Sequence, residues 1–482
     1  MDFSHIQPTA LWQHFAALNA VPRPSKKEER VIAFMKAFGE NLGLTTIVDQ
    51  AGNVIIKKAA TAGMEDRQTV ILQSHLDMVH QKNASTVFDF DQQGIEMYQD
   101  GDWIRAKGTT LGADNGIGVA AIMALLSSTD IPHPALEAFF TIDEETGMTG
   151  AKEMDASLLS GTILLNLDTE DDDELSVGCA GGIDTNTSYT YQEVPIQNGF
   201  STLEIQLSGL LGGHSGMDID KGRGNANKWM ARLLWELSHE QHIQLLHFDG
   251  GSLRNAIPRE ATAIIAVQDT VKALTQINAF AHILKDEYTL IEPHFILKAE
   301  SIQTSLHALS DLDFKKIIAT LCGVQNGVYR MSPDIMGLVE ASSSLARVII
   351  DKGSFTSQSL QRSSVESTKK EVSMTLRCAF ENMGATVEQS GDYPGWKPNS
   401  QSLILKEMRG LYRTLFNEEP KVKACHAGLE CGLLSEKLPG VDMISFGPNI
   451  RAAHSPDECV QISSVQKFWT YLLASLSQIP KA

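Results

Sequence analysis

Cysteine is scarce in this 482-residue sequence, and its thiols form no recognisable framework. The six cysteines are Cys179, Cys322, Cys378, Cys425, Cys431 and Cys459, and no two of them form a CxxC pair. Dense or paired spacing marks disulfide-rich secreted folds and structural zinc sites, so neither class is expected. Cys425 and Cys431 could in principle share a metal, but reduced thiols in a reducing compartment are the simpler interpretation.

Long hydrophobic runs and positive charge are also lacking. The longest apolar runs, such as GVAAIMALL, fall well short of the roughly 20 residues of a membrane-spanning helix, and residues 1–30 contain no secretory signal core. The sequence has 40 Lys and Arg and 59 Asp and Glu, which gives a net charge of −19. This charge disfavours nucleic-acid binding and favours metal or cationic partners. We therefore expect a soluble cytoplasmic protein with no membrane or nucleic-acid partner.

The stretch TVILQSHLD at residues 69–77 places polar groups at the end of a buried strand. Its apolar run predicts the strand, and His75 and Asp77 follow at the carboxyl end. Residues two apart in an extended chain project to the same side, so the two side chains leave the strand together. The pair is either a metal ligand with its orienting carboxylate or an ordinary hydrogen-bonded pair.

Three further segments carry carboxylates at comparable positions. Asp114, in the glycine-rich turn GADNG, precedes an apolar helix, where either helix capping or metal binding is open. Asp143, Glu144 and Glu145 close the apolar strand pattern LEAFFTI, and their mutual repulsion would be relieved by a cation. Asp168 ends another apolar strand pattern, TILLNL at residues 162–167.

Two segments have the S-x-x-E pattern of a helix capping box. Ser25 with Glu28 predicts the start of the second helix, and Ser455 with Glu458 predicts a helix start near the C-terminal end. His454 is therefore expected directly in front of a helix.

The middle of the chain differs from both ends. Period-two spacing there predicts antiparallel strands at Leu203, Ile205 and Leu207 and at Val372, Met374 and Leu376. An amphipathic helix is predicted between them at Ala226–Leu237. The fold class predicted is α/β: a discontinuous catalytic domain of residues 1–181 plus 402–482, with a mixed sheet flanked by helices, interrupted by an inserted α+β lid domain of residues 182–401.

The candidate ligands together suit a two-metal site. They are His75, Asp114, Glu145, Asp168 and His454, with Asp77 and Glu144 beside them. Mixed imidazole and carboxylate ligands suit zinc, cobalt or manganese rather than calcium. Five ligands are too many for one tetrahedral ion with an open position, but they fit two ions if a carboxylate bridges, and Asp114 has two oxygens to share.

The ordered segments SHLD, GADNG, DEE, the strand-terminal Asp168 and AHSPDE resemble the di-zinc metallopeptidases related to carboxypeptidase G, aminoacylase and the bacterial dipeptidases. The resemblance covers nearly the whole chain. It implies two Zn²⁺ ions, replaceable by Co²⁺ or Mn²⁺, with His75 and Asp168 on one, Glu145 and His454 on the other, and Asp114 bridging. It also implies that Asp77 orients His75 and that Glu144 is the general base.

The resemblance extends to substrate binding and activity. His214 in GGHSG is similar to the lid histidine that stabilises the oxyanion, Asn255 and Arg362 to groups that hold the substrate carboxylate, and Gly428 to a backbone contact. The implied activity is hydrolysis of unblocked dipeptides, including those ending in histidine such as β-alanyl-histidine, by a homodimer.

Two alternatives to this activity stay open. One is a related amidohydrolase: a tripeptidase, an N-acyl amino acid deacylase or a carboxypeptidase. The other is a metal- or peptide-binding relative without turnover, which Glu144 argues against because binding alone requires no base.

Overall fold

The computed structural model describes Phe3 and residues 5–482. Its helices are α1 (Thr9–Asn19), α2 (Glu29–Asn41), α3 (Ala113–Ser127), α4 (Thr149–Glu153), α5 (Ala226–Glu240), α6 (Thr270–Tyr288), α7 (Asp311–Gly323), α8 (Glu366–Met383), α9 (Leu403–Phe416), α10 (Glu430–Lys437) and α11 (Ile462–Ser477).

Its strands are β1 (Thr45–Val48), β2 (Val54–Lys58), β3 (Val70–His75), β4 (Met97–Asp100), β5 (Trp103–Ala106), β6 (Leu136–Thr141), β7 (Ile163–Asn166), β8 (Glu174–Cys179), β9 (Gly181–Thr190), β10 (Glu193–Val194), β11 (Ser201–Ser208), β12 (Ile243–Gly250), β13 (Ala261–Val267), β14 (Ile296–Ile302), β15 (Ala308–Leu309), β16 (Gly327–Met331), β17 (Val339–Asp351), β18 (Ser354–Ser363), β19 (Thr386–Tyr393), β20 (Lys421–Cys425), β21 (Asp442–Ser445), β22 (Ile450–Arg451) and β23 (Cys459–Gln461).

The chain divides into two compact units. The first comprises Met1–Gly178, Pro398–Ala424 and Glu430–Ala482, and the second comprises Cys179–Lys397 and Cys425–Leu429. The sequence-based division assigned all of residues 402–482 to the first unit. The segment Cys425–Leu429 instead packs with the second, because the Ala180 N–H donates to carbonyl oxygens of Cys425 and Ala427 at 2.9 and 3.1 Å.

The first unit is built on an eight-stranded sheet in the order β1-β2-β6-β3-β7-β21-β8-β20. Strands β6, β3, β7 and β21 run parallel, whereas β1, β2 and β8 pair antiparallel with their neighbours, so the predicted mixed sheet is confirmed. Every residue of β3, β6 and β7 is buried, as their apolar sequences predict. Parallel strands share one direction, so the carboxyl ends of these three strands lie along one edge, the usual ligand-binding edge of such sheets.

A small sheet in the order β22-β23-β5-β4 lies within the first unit and positions the segment that contains His454. Strand β23 pairs with β5 through Cys459 with Arg105 and Val460 with Ile104. The helix predicted to start at Ser455 is not formed, and the next helix, α11, begins at Ile462. The strand pairing explains this, because residues 459–461 are extended rather than helical.

The second unit is built on a largely antiparallel sheet in the order β14-β11-β13-β12-β17-β18-β9-β19, with β16 beside β17. It contains two βαββαβ motifs, β11-α5-β12-β13-α6-β14 and β9-α7-β17-β18-α8-β19. Each motif orders its strands fourth, first, third, second, and the two second strands, β12 and β17, pair antiparallel. The first motif is inserted between β9 and α7 of the other.

The period-two prediction was right at one segment and wrong at the other. Leu203, Ile205 and Leu207 alternate with less buried residues on β11, as predicted. Val372 and Leu376 instead lie on helix α8, where the buried positions continue to Phe380 and so recur every four residues. Met374 is 55% exposed there, so its apolar character misled the prediction.

The cysteines and the helix lengths can be compared with what the composition predicts. All six cysteines lie among them and none forms a disulfide. Throughout this part of the chain, every helix falls short of the length or the apolar character needed to cross a bilayer.

Candidate active site

The carboxyl end of β3 carries His75 and Asp77, which are 1% and 0% exposed. An Asp77 carboxylate oxygen lies 3.3 Å from His75 Nδ1. The same carboxylate accepts the backbone N–H groups of Glu144 at 3.0 Å and Glu145 at 3.3 Å, and the Ser25 hydroxyl at 2.7 Å. Asp77 therefore fixes both the imidazole and the acidic loop that follows β6.

The capping box predicted at Ser25 and Glu28 is wrong, because these side chains instead support the acidic loop that follows β6. Helix α2 begins at Glu29, and in the described structure no side chain caps its first turn. Ser25 donates to Asp77, and a Glu28 carboxylate oxygen accepts the N–H groups of Lys26 at 2.9 Å and Asp143 at 3.1 Å.

Asp114 joins two groups of side chains. It lies within α3 but has φ −80° and ψ 111°, so it precedes the regular helix. Its Oδ1 lies 3.1 Å from His75 Nε2 and its Oδ2 lies 3.2 Å from His454 Nε2. Asp168 Oδ1 lies 3.6 Å from His75 Nε2, and Glu145 Oε2 lies 3.0 Å from His454 Nε2. One carboxylate is thus shared by two imidazole–carboxylate pairs.

The arrangement fits divalent metal ions. Ligand atoms lie within 4.8 Å of one another in each of three sets: His75, Asp114 and Asp168; Asp114, Glu145 and His454; and His75, Glu144 and Glu145. Glu145 Oε1 and Asp168 Oδ1 are buried without a hydrogen-bond partner among the described residues, and a cation would satisfy both. Imidazole nitrogens combined with carboxylate oxygens are donors typical of zinc, cobalt and manganese sites.

The protein groups alone shift the pKa values strongly. Hydrogen bonds to Asp114 and Glu145 raise the pKa of His454 to about 11. Burial raises the pKa of Glu144 well above its ordinary value, against the attraction of His75, and the charge of Asp168 adds to the increase. Glu144 therefore holds a proton more firmly than a solvated glutamate does.

A buried polar network that the sequence analysis did not identify lies near Glu144. Glu430, in the first turn of α10, is 2% exposed and accepts from Gln73 Nε2 at 2.6 Å and from the Thr141 hydroxyl at 2.9 Å. The Asn166 amide in turn donates to Gln73. Burial raises the pKa of Glu430 to about 7. The signal in the sequence was a polar residue inside each apolar strand, Gln73 in VILQSH and Asn166 in ILLN.

In the second unit, His214 has a defined tautomer. Its Nδ1 accepts the backbone N–H groups of Gly216 at 3.1 Å and Met217 at 3.0 Å. Burial, followed by the charge of Arg362, lowers the pKa of His214 and favours the neutral ring. A neutral imidazole that accepts at Nδ1 carries its hydrogen on Nε2, so His214 presents an Nε2–H donor.

Arg362 and Gly428 lie close to Tyr393 in the same unit. Arg362 is 5% exposed on β18 and donates to the Tyr393 hydroxyl at 2.8 Å. A Cβ on Gly428 would lie 2.9 Å from the Tyr393 ring, so a larger residue there would displace that ring. A Cβ on Gly216 would lie 3.0 Å from His214 and 3.1 Å from Arg362, so His214, Arg362 and Gly428 belong to one cluster.

Asn255 is exposed in the second unit, whereas His426 is buried there. Asn255 is exposed, and its backbone carbonyl accepts the Ser215 N–H at 2.8 Å, which fixes it beside the His214 segment. His426 is buried, and its Nε2 lies 2.8 Å from the Ser342 hydroxyl. Burial, followed by the charge of Arg362, lowers the pKa of His426 to about 3. His426 was not identified from the sequence, although it lies in the CHAGLECG segment beside Gly428.

Comparison with known proteins places this geometry in a family. Residues 71–478 match the model of peptidase family M20/M25/M40. The chain belongs to this family. The cytosol non-specific dipeptidase of Escherichia coli (strain K12) is 41% identical over 483 residues, which cover 99% of each chain. The family membership predicted from the sequence motifs is therefore confirmed.

Two solved structures are similar to this chain over nearly its whole length. The crystal structure of the aminoacylhistidine dipeptidase from Vibrio alginolyticus has a TM-score of 0.97 and 43% identity, covering 100% of this chain and 99% of that one. The aminopeptidase PepT from Bacillus cereus ATCC 10987 has a TM-score of 0.57 and 16% identity, covering 98% and 99% of the two chains. That second likeness shows a shared fold alone.

Proposed function

We propose that this M20 protein is a metal-dependent dipeptidase that hydrolyses unblocked dipeptides, including those with a C-terminal histidine such as β-alanyl-histidine. The observation that carries the proposal is the position of Asp114, whose two oxygens lie 3.1 and 3.2 Å from the Nε2 atoms of His75 and His454. Full-length similarity to a cytosol non-specific dipeptidase and an aminoacylhistidine dipeptidase supports the substrate class.

The proposed cofactor is a pair of divalent ions, Zn²⁺ with Co²⁺ or Mn²⁺ as substitutes. His75 and Asp168 would hold one ion, Glu145 and His454 the other, and Asp114 would bridge them. The proximity of these ligand atoms, within 4.8 Å of one another in each group, and the two unpartnered carboxylate oxygens support the assignment. When bound, such ions lower the pKa of a water molecule and polarise the scissile carbonyl.

Glu144 is the proposed general base. Its backbone is fixed by Asp77, and its raised pKa suits a carboxylate that takes a proton from the attacking water and keeps it until the amine leaves. Glu144 then protonates the amine nitrogen as the peptide C–N bond breaks. Asp77 orients His75 throughout.

The second unit is proposed to bind the substrate. His214 would donate its Nε2–H to the oxygen that becomes negatively charged as the carbonyl is attacked. Arg362, Asn255 and the Gly428 backbone would hold the substrate carboxylate, and Tyr393 would position the Arg362 guanidinium. We propose the inserted residues 182–401 as a lid whose recognition of both free ends of the substrate selects dipeptides.

Two properties of the whole protein belong to the same proposal. A cytoplasmic location is supported by the name of the 41% identical relative, a cytosol dipeptidase. A homodimer is proposed from the resemblance to the metallopeptidase family. Sedimentation equilibrium of the purified protein tests the oligomer, and fractionation of expressing cells tests the location.

The deciding experiment joins metal analysis to a substrate panel. Purified protein is analysed for metal, treated with a chelator, dialysed and reloaded with Zn²⁺, Co²⁺ or Mn²⁺. Each form is assayed with β-alanyl-histidine, alanyl-histidine, a tripeptide and an N-acetylated amino acid. We expect metal-dependent cleavage of the two dipeptides at rates at least tenfold above the others. Preferred cleavage of the tripeptide or the blocked amino acid would replace the proposal with one of the related amidohydrolase activities, and no cleavage in any form would reject it.

A further inference from the structure

Glu458 is a buried carboxylate held by four consecutive backbone amides. It is 2% exposed. One oxygen accepts the N–H groups of Leu111 at 2.7 Å and Gly112 at 2.9 Å, and the other accepts those of Ala113 at 2.8 Å and Asp114 at 3.2 Å. Both oxygens are therefore occupied by amide donors rather than aimed at a ligand. A carboxylate in such a set of amides is strongly localised.

The four amides belong to the loop that carries Asp114. Gly112 has φ +69°, a left-handed conformation that favours glycine, and this turn directs successive N–H groups toward one point. Asp114 is the last of the four residues, and its side chain contacts both His75 and His454. The position of Glu458 thus determines where the Asp114 backbone lies.

Arg23 ties this loop to the end of β3. It is 1% exposed and donates through Nη1 to the carbonyl oxygens of Leu76 at 2.9 Å and Asp77 at 3.0 Å. Its Nη2 donates to the carbonyl oxygen of Gly112 at 2.5 Å. A planar guanidinium with donors on two sides can join two backbone segments in a way that a lysine ammonium cannot.

The glycines of GADNG are explained by the same guanidinium. A Cβ on Gly112 would lie 2.5 Å from Arg23 Nη2, and a Cβ on Gly116 would lie 2.7 Å from the same atom. Any larger residue at either position would displace the guanidinium. The two glycines of the motif therefore leave room for the buried Arg23 guanidinium, and the residue between them, Asp114, contacts both histidines.

We propose that Glu458 and Arg23 are positioning residues that fix the spacing between Asp114 and His75 before a metal binds, and that they thereby set the affinity for divalent ions. This inference rests on the proposed function, because it assumes that His75 and Asp114 are metal ligands. Partners that orient metal ligands typically contribute ten- to a hundredfold in metal affinity. Glu458 acts on Asp114 through its backbone, and Arg23 joins that loop to the His75 strand.

The test compares Glu458→Gln with a matched control, Glu137→Gln. Glu137 is also buried, 3% exposed, and accepts backbone N–H groups, those of Ser160 at 2.7 Å and Gly161 at 2.9 Å. It lies near the amino end of β6, at the opposite end of that strand from Asp143. In E458Q the new NH₂ group faces two backbone N–H donors whichever oxygen it replaces. In E137Q it faces either the two backbone N–H donors or the Lys57 ammonium, which lies 2.8 Å from the other Glu137 oxygen. Both variants are therefore expected to lose thermal stability.

Metal affinity separates the two variants. Wild type, E458Q and E137Q are stripped with a chelator and titrated with Co²⁺, and binding is followed by the visible absorption of bound Co²⁺ in competition with a chelating dye. We expect the E458Q dissociation constant to rise ten- to a hundredfold and that of E137Q to stay within twofold of wild type. We also expect a changed Co²⁺ spectrum in E458Q alone, which a general loss of stability would not produce.

Equal weakening of both variants, or an E458Q affinity within twofold of wild type, would overturn the inference. Arg23→Lys is measured by the same criteria, and it decides the question if E458Q gives no folded protein. Failure of wild type itself to bind Co²⁺ or to cleave dipeptides would instead reject the proposed function, so the two failures are distinguishable.

Discussion

The carboxylate of Asp77 accepts the backbone N–H of Glu144 at 3.0 Å. Through this bond the end of β3 supports the loop that follows β6, so one side chain orients His75 and also places the proposed base. Replacing Asp77 by Asn would put an NH₂ group against the Glu145 N–H and the Ser25 hydroxyl or against His75. We expect D77N to lose ten- to a hundredfold in both metal affinity and kcat/KM. Unchanged Co²⁺ binding and dipeptide cleavage would contradict this role.

Glu144→Gln tests the base directly. The amide cannot take a proton from water, so kcat should fall by about 10²- to 10⁴-fold. Metal content should stay at the wild-type value, because all five proposed ligands remain. The measurement is kcat with a dipeptide, together with metal analysis of the same sample, and Glu153→Gln on the exposed side of α4 is the control. Full activity in E144Q would reject the assignment of the base.

Asp114→Asn tests the shared carboxylate. An amide offers one good oxygen ligand where the carboxylate offers two, so we expect the number of tightly bound ions to fall from two toward one. Metal analysis after extensive dialysis provides the count. Asp130→Asn, an exposed substitution in the turn after α3, should retain the wild-type content. Two tightly bound ions in D114N would argue against a bridge.

Metal removal should reduce thermal stability. A ligand that binds only the folded state stabilises it by about 2.7 kcal/mol at a hundredfold excess over its dissociation constant. We expect chelated protein to melt at a lower temperature than zinc-loaded protein, and the difference to disappear in a His75→Ala, His454→Ala double variant. Scanning calorimetry measures it. Equal melting temperatures for chelated and loaded wild type would contradict a metal site of this kind.

Arg362→Lys tests substrate binding in the second unit. The lysine retains the positive charge, but it cannot reproduce the guanidinium geometry that Tyr393 fixes. KM for dipeptides should therefore rise about 10- to 100-fold, because one charge-assisted hydrogen bond to the substrate carboxylate is lost. C-terminally amidated dipeptides should be affected much less. Arg330→Lys, whose side chain is 50% exposed, is the control in the same unit. An equal effect on free and amidated peptides would exclude Arg362 as the carboxylate partner.

His426 predicts a pH dependence of stability. Its pKa is lowered to about 3 in the folded protein, against an ordinary value near 6.5, so the unfolded chain binds the proton more readily between these pH values. The stability that this neutral imidazole contributes is complete above pH 6.5 and is lost as pH falls toward 3, by at most about 1.4 kcal/mol per pH unit. Denaturant unfolding at pH 7 and pH 5 should show a smaller acid loss in H426Q than in wild type.

The sequence determined the candidate ligands because their signals are local. A strand of apolar residues with polar groups at its carboxyl end is recognisable without neighbours, and His75, Asp168 and Glu145 all stand at such ends. The order and spacing of these segments were enough to identify the M20 family, which the comparisons confirm. The α/β class of the first unit followed from the same buried strands.

The residues that support the candidate ligands could be identified only from the tertiary structure. The glutamates of the S-x-x-E patterns at Ser25–Glu28 and Ser455–Glu458 accept backbone N–H groups, as in a capping box. However, Glu28 accepts from Asp143 and Glu458 accepts from Gly112, each more than a hundred residues away in sequence. Sequence spacing indicates that a carboxylate accepts hydrogen bonds from backbone N–H groups, but it does not show which residues donate them. Likewise, only packing showed that Val372 and Leu376 lie on one helical face rather than on a strand.

Local chemistry was therefore enough to predict the candidate ligands, since ligand type and strand position are properties of short segments. The long-range fold decided how these candidate ligands are held, since Arg23 and Glu458 reach the loop of Gly112 and Asp114 only when three distant parts of the chain pack together.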